Sequence, residues 1–366
     1  MSKEFTFVSI FGEGPGHSAK DVTFYVEALL HSETMFEYYM PKFSMLQLRE
    51  GAEFAKHIDV RDNGSWKGAF RIASQVQVKN NSTLVFTGYT EKTVLVFWLL
   101  NFGKKYDLIL STTNNLPSGR VSRNKWRLRL FFLLLSGKLR RLVVNSEAEK
   151  MLVRSISGAL SKITVIKDHH QFSRKQNLKI NGVKPRISFY GPVKYYKPIE
   201  PICDLIESDL NHKYDYYIYN VGNLSNGRFE KIRNNQNVHT INTYMSEEEL
   251  CLSIQSSTFI FLSHDSNYEG LLSGNFMDCM ANTIPFLSGK SDVQSSFEKL
   301  YGPLGFTSDL QNANWAHYFL DGFEPESSVM FKANIAKMND YYSQELLFES
   351  FNKSFLLDFQ DESVNK

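Results

Sequence analysis

Cysteine is scarce: only Cys203, Cys251 and Cys279 occur, an odd number at wide spacing with no C-x-x-C pair. That excludes a disulfide scaffold and a thiolate metal site, and it fits reduced thiols in a cytoplasmic protein. Long apolar runs are missing too. No stretch approaches the roughly 18 apolar residues of a membrane span. The opening "MSKEFTFVSIFGEG" passes from charge straight into a strand-like run, with no leader peptide. Threading through a bilayer is therefore not expected. An excess of one charge is also absent. At a net +2 there is no global basic field, and no nucleic-acid partner is expected.

What is present describes a folded, soluble chain. It is 42% hydrophobic and 22% charged, and its 366 residues exceed what one hydrophobic core usually serves. "FTFVSIF", then "GEGPGHS", then "AKDVTFYVEALLHSE" reads as strand, glycine loop and helix. "STLVFTG" before "TEKTVLVFWLLNFGKK", "YDLILSTT", and "LRRLVVNSEAEKMLVRSI" continue the alternation. Such alternation predicts a parallel sheet covered on both faces.

The pattern restarts with "KPRISFYGPV" and "YDYYIYNVGN". "NVHTINTYMSEEELCLSIQSS" adds a strand, then a helix capped by Ser246. "TFIFLSHDS" is the most continuous strand signal in the chain. The spacing predicts an α/β protein of two Rossmann-like domains with a helical C-terminal tail. The expected division is 1–180, 186–340 and a tail at 341–366 packing back on the first domain. The join falls in the polar stretch 171–185.

The segment "YEGLLSGNFMDCMANTIPFLSG", Tyr268–Gly289, carries the most chemistry. It follows the strong strand, where open α/β sheets bind ligands. A helix from about Asn275 would present unpaired N–H groups and the positive end of its dipole near Gly270, Leu271, Leu272 and Ser273, a setting suited to a diphosphate. Glu269 would stand within reach of sugar hydroxyls, and Asp278 would accept from a ribose. The bland alternative is a buried helix after a tight turn with a solvated Glu269. Cys279 reads as a small core residue.

This segment resembles a stretch of the group 1 (family 4-like) glycosyltransferases of bacterial polysaccharide synthesis, "PS-x-x-E-G-x7-E-A-M-A-x-G-x-P". Here it reads "LSHDSNYEG…MDCMANTIP", with Ser263, Glu269 and Asp278 at the serine and the two acids, and Met280, Ala281 and Pro285 at M, A and P. The order of the surrounding strands is similar as well.

The resemblance implies a GT-B fold with two domains facing across a cleft, the first for the acceptor and the second for a nucleotide-sugar donor. It also implies metal-independent hexosyl transfer, without a cofactor, and retention of configuration. Gly191, Lys194, Lys197 and Gly222 would join the donor site. Departures exist. The acids are nine apart here and eight in the family, the second is aspartate, and Pro192 replaces the arginine of the family's phosphate clamp. The histidine usual near a first-domain strand end has no equivalent.

Two further stretches stand out. In "FGEGPGHS", Gly14 and Gly16 let the backbone approach a ligand, and His17 or Glu13 would accept a proton, or His17 bind phosphate. The plain alternative is a glycine turn with a surface histidine. With Glu269, His17 completes the catalytic candidates.

Between Asp107 and Glu147 there is no acid, while eight cations occur. "GRVSRNKWRLRLFFLLL" sets Arg123, Lys125, Arg127 and Arg129 around Trp126. It reads equally as a helix lying on an anionic membrane or acceptor and as an ordinary helix packed on the first domain. Adjacent His169 and His170 read as surface residues.

The sequence therefore points to a cytoplasmic glycosyltransferase, with a peripheral position on the inner face of the membrane as a further option. Its donor would be a nucleotide-diphosphate sugar, and its acceptor a saccharide or a lipid-linked saccharide in surface-polysaccharide synthesis. The rival reading is an inactive homologue serving as a partner subunit in such a complex.

Overall fold

The computed structural model describes residues 4–11, 17–32, 34–46, 48, 50–111, 118–144, 150–151, 153–154, 156, 163–165, 184–191, 198–219, 227–243, 245–263, 273–323, 325–341 and 344–352. They fall into two compact units. The first comprises Met1–Gln171 with Gln344–Lys366, and the second Phe172–Ser343.

The first unit is built on seven parallel strands: β1 (Phe5–Ser9), β2 (Phe36–Met40), β3 (Ala55–His57), β4 (Ser82–Gly88), β5 (Tyr106–Ser111), β6 (Leu139–Val144) and β7 (Ile163–Val165). Their spatial order is β3-β2-β1-β4-β5-β6-β7, so the direction of winding reverses between β1 and β4. All seven residues of β4 are buried, as a strand covered on both faces requires.

Helices α1 (His17–His31) and α2 (Lys42–Leu46) follow β1 and β2. Helices α3 (Trp66–Gln75), α4 (Glu91–Leu100) and α5 (Ser118–Leu135) precede β4, β5 and β6. The last three share one core with the sheet, in which Ile72, Val94, Phe97, Leu128 and Phe131 meet Val8, Phe86, Leu110 and Leu142. Ser65 and Thr90 cap α3 and α4 by accepting from the amides of Gly68 and Thr93 at 2.9 and 3.2 Å.

The second unit repeats the plan with six parallel strands: β8 (Arg186–Tyr190), β9 (Asp215–Tyr219), β10 (Val238–Ile241), β11 (Phe259–Leu262), β12 (Phe286–Gly289) and β13 (Gly305–Ser308). Their order is β10-β9-β8-β11-β12-β13, with the reversal between β8 and β11.

Helices α6 (Glu200–Ser208), α7 (Gly227–Ile232) and α11 (Trp315–Gly322) cover one face with Ile202, Phe229, Trp315 and Phe319. Helices α8 (Glu247–Gln255), α9 (Gly274–Ala281), α10 (Asp292–Tyr301) and α12 (Pro325–Tyr341) complete this unit. The last helix, α13 (Gln344–Asn352), belongs to the first unit, where it packs on α1.

The architecture is thus α/β with two Rossmann-like sheets. The sequence reading overlooked several elements. β2, "FEYYM", breaks its apolar run with Glu37. β3 and β7 have three residues each. α3 points Trp66 and Phe70 to solvent, 51% and 49% exposed, which blurs its buried face.

Candidate functional site at the carboxyl edge of the second sheet

The winding reverses between β8 and β11, and the carboxyl ends of strands at such a switch point are where open α/β sheets bind ligands. β8 ends at Tyr190 and turns through Gly191 at φ 98°, a left-handed conformation that glycine adopts without strain. The Gly191 amide donates to the carbonyl of Tyr219 at 3.0 Å, and the Tyr190 and Tyr219 rings stack at 4.8 Å. Burial pushes the Tyr190 phenol up to about 12, so it remains neutral and is no general base. After β11 the fully buried Ser263 donates its hydroxyl to the carbonyl of Pro198.

Helix α9 starts at this switch point. Ser273 is its N-cap residue, in extended conformation, and its side chain makes no capping bond. The first-turn amides have no partners within the helix, so they and the dipole offer a place for negative charge. Asn275, in that turn, donates from Nδ2 to the Tyr190 carbonyl at 2.9 Å and ties the helix start to the end of β8. Phe276, Met277, Cys279 and Met280 are buried beneath, and Asn339 of α12 donates to the Met280 carbonyl at 2.8 Å. Such anchoring holds the helix start in place and so preorganises its donors.

Among the sequence candidates, Gly191 and Ser273 therefore stand together at the switch point, and the half-buried Asp278 lies one turn further along α9. Glu269, Gly270, Leu271, Leu272, Lys194, Lys197 and Gly222 lie outside the described residues, as do Glu13, Gly14 and Gly16. His17 opens α1 after the end of β1, beside the reversal of the first sheet. Among the described residues no group of three His, Cys, Asp or Glu is placed to hold a metal ion. Cys279 is a buried core residue, and none of the three cysteines is in a disulfide.

Asn275, Tyr190 and Tyr219 were not singled out from the sequence. Their roles arise from contacts between elements far apart in the chain, which leave no local pattern.

The basic stretch forms α5. Its packed-helix reading holds for Leu128, Phe131, Phe132 and Leu135, which are buried. Lys125, Trp126, Arg127 and Arg129 are exposed, and Arg123 lies on the same helix. Arg127 pairs with Glu91 at 3.0 Å, and Arg129 donates from Nε to the carbonyl of Ile156 at 3.1 Å.

No protein-family model and no curated protein matches the sequence. Solved structures do match in fold. Sucrose-phosphate synthase from Thermosynechococcus elongatus superposes with a TM-score of 0.75 at 10% identity, over 98% of this chain and 100% of that one. HepE from Anabaena, in complex with UDP-glucose, gives 0.68 at 11% identity, over 96% and 98%. A glycosyltransferase from Rickettsia africae gives 0.67 at 12% identity, over 97% and 99%. With its two Rossmann-like sheets and a helix start set at the switch point of the second, this chain has the fold of the GT-B glycosyltransferases.

Proposed function

We propose that the protein is a glycosyltransferase that moves a sugar from a nucleotide-diphosphate donor to a saccharide or lipid-linked saccharide in surface-polysaccharide synthesis. The observation that carries this reading is the start of α9 at the β8/β11 switch point, in a fold shared with a protein solved with UDP-glucose. The second unit would take the donor. Its diphosphate would lie on the first-turn amides of α9, with Lys194 or Lys197 meeting the charge that builds up on the leaving group. Glu269 would orient the donor sugar and Asp278 the ribose. In the first unit, His17 or Glu13 is a candidate proton acceptor. Helix dipole and lysines supply the positive charge, so the scheme needs no metal. Retention of configuration follows from the same family resemblance.

A panel of UDP, GDP, CMP and dTDP sugars tested by thermal stability checks this. One donor class is expected to stabilise the fold by roughly 2.7 kcal/mol at a hundredfold excess over Kd. Asp278→Ala and Glu269→Ala are expected to abolish most of that gain. The rival reading, an inactive homologue in a polysaccharide-synthesis complex, draws on Pro192 in place of the clamp arginine. Binding without sugar transfer would favour it, and a well-folded protein that no nucleotide stabilises would sink the donor-site assignment.

A further inference from the structure

Helix α5 has two apolar faces. At 3.6 residues per turn, the buried Leu128, Phe131, Phe132 and Leu135 form one stripe. Trp126, Leu130, Leu133 and Leu134 form a second stripe on the opposite side, and they are 71%, 47%, 67% and 43% exposed. A helix that only packed on its sheet would need the first stripe alone.

Helix α4, which touches α5, ends on exposed Leu99 and Leu100, and Phe102 is exposed in the turn that follows. Seven of the twenty large apolar side chains exposed among the described residues thus fall within residues 99–134. Such a concentration in one stretch of chain differs from the scattered single exposed leucines of an ordinary surface.

The exposed charge around these side chains is mostly positive, and Glu91 of α4 is paired with Arg127. Lys125 and Arg129 flank the α5 stripe on one side and Arg127 on the other, all exposed, and Lys104 and Lys105 follow Phe102. No acid occurs from residue 108 to residue 146. A leucine-rich stripe with one tryptophan, bordered by lysine and arginine, matches a helix lying in the plane of an anionic bilayer. Protein interfaces, by contrast, are depleted in lysine, and leucine is under-represented among their hot spots. No helix among the described residues is long and apolar enough to cross a membrane, so the geometry is that of a surface contact.

We infer that the exposed stripe of α5, with the end of α4, docks the first unit on an anionic lipid surface. Trp126 and the leucines enter the headgroup boundary while Lys125 meets lipid phosphates. This inference uses no sugar chemistry and stands independently of the proposed activity.

Co-sedimentation of the full chain with phosphatidylcholine vesicles, with and without phosphatidylglycerol, tests it. Binding is expected only where phosphatidylglycerol is present and should weaken as salt rises. The double variant Leu130→Ser, Leu133→Ser should bind roughly tenfold more weakly or worse at an unchanged thermal midpoint. Lys125→Glu, a charge reversal at an exposed position that leaves the buried stripe untouched, should also weaken binding. A wild type that ignores anionic vesicles, or variants that bind as well as wild type, would overturn the inference. So would a wild-type dimer in sedimentation velocity that the double variant turns into a monomer, because the stripe would then belong to a second copy.

Discussion

Single residues carry the chemistry, and Glu298 shows how burial alters it. It sits half-buried on α10, where its carboxylate accepts a 3.4 Å bond from the Leu304 amide. Burial raises its pKa above the usual 4.5, the hydrogen bond opposing this only in part. A carboxyl whose pKa is raised on folding favours the native state while it is protonated. That contribution is full below about pH 4.5 and is lost as pH rises through the folded value. Glu298→Gln keeps the acceptor oxygen and removes the charge. The variant is expected to be more stable than wild type at pH 7, with the gain fading toward pH 4. Urea midpoints at both pH values check this; an equal gain at both would show that ionisation is not the cause.

The site residues divide along the same line. Asp278 and Ser273 were legible, because an acid within a helix that follows a strong strand is a pattern in adjacent residues. Asn275 gains its part only from the Tyr190 carbonyl, 85 positions away in the chain.

Elements record how far local rules reach. The start of α8 follows them closely. Ser246 accepts from the Glu249 amide at 3.2 Å, and Glu249 accepts from the Ser246 amide at 2.7 Å, a reciprocal pair visible in "SEEE". Ser246→Ala is expected to cost about 1 kcal/mol, read as a lower denaturant midpoint at unchanged m-value. A cost near zero would mean that tertiary packing alone holds the helix start.

Helix α5 shows the limit of such rules. Its composition supports an inward and an outward reading, and the fold satisfies the first with one stripe while leaving the other in solvent. The short strands β3 and β7 mark a second limit. Three residues carry too little periodicity to register, and each becomes a strand by pairing with a longer neighbour, β2 or β6.

At the scale of the molecule, the chain runs through the first unit, then the second, and returns. Helix α13 completes the first unit by setting Phe351, which is fully buried, edge-on against Phe24 and Tyr25 at 6.2 and 5.5 Å. Phe348 adds a ring contact to Phe24 at 5.4 Å. Phe351→Ala removes a large side chain from this cluster and is expected to destabilise the first unit by about 3–5 kcal/mol. Scanning calorimetry should show the transition of the first unit moving down while that of the second stays in place. An unmoved first transition would mean that α13 contributes little to its stability.

By itself the sequence determined the alternation of strand and helix, the restart of that alternation after residue 185, and the start of α9 behind β11. These depend on runs and periods among neighbouring residues, and parallel strands covered on both faces announce themselves as unbroken apolar segments. Only the tertiary structure decided the strand order, and with it the two reversals, the kind of place where open α/β sheets bind ligands. It also decided which stripe of α5 is buried and which rings of α1 receive the returning α13. Burial is a property of two surfaces meeting, and a stretch of sequence carries only one of them.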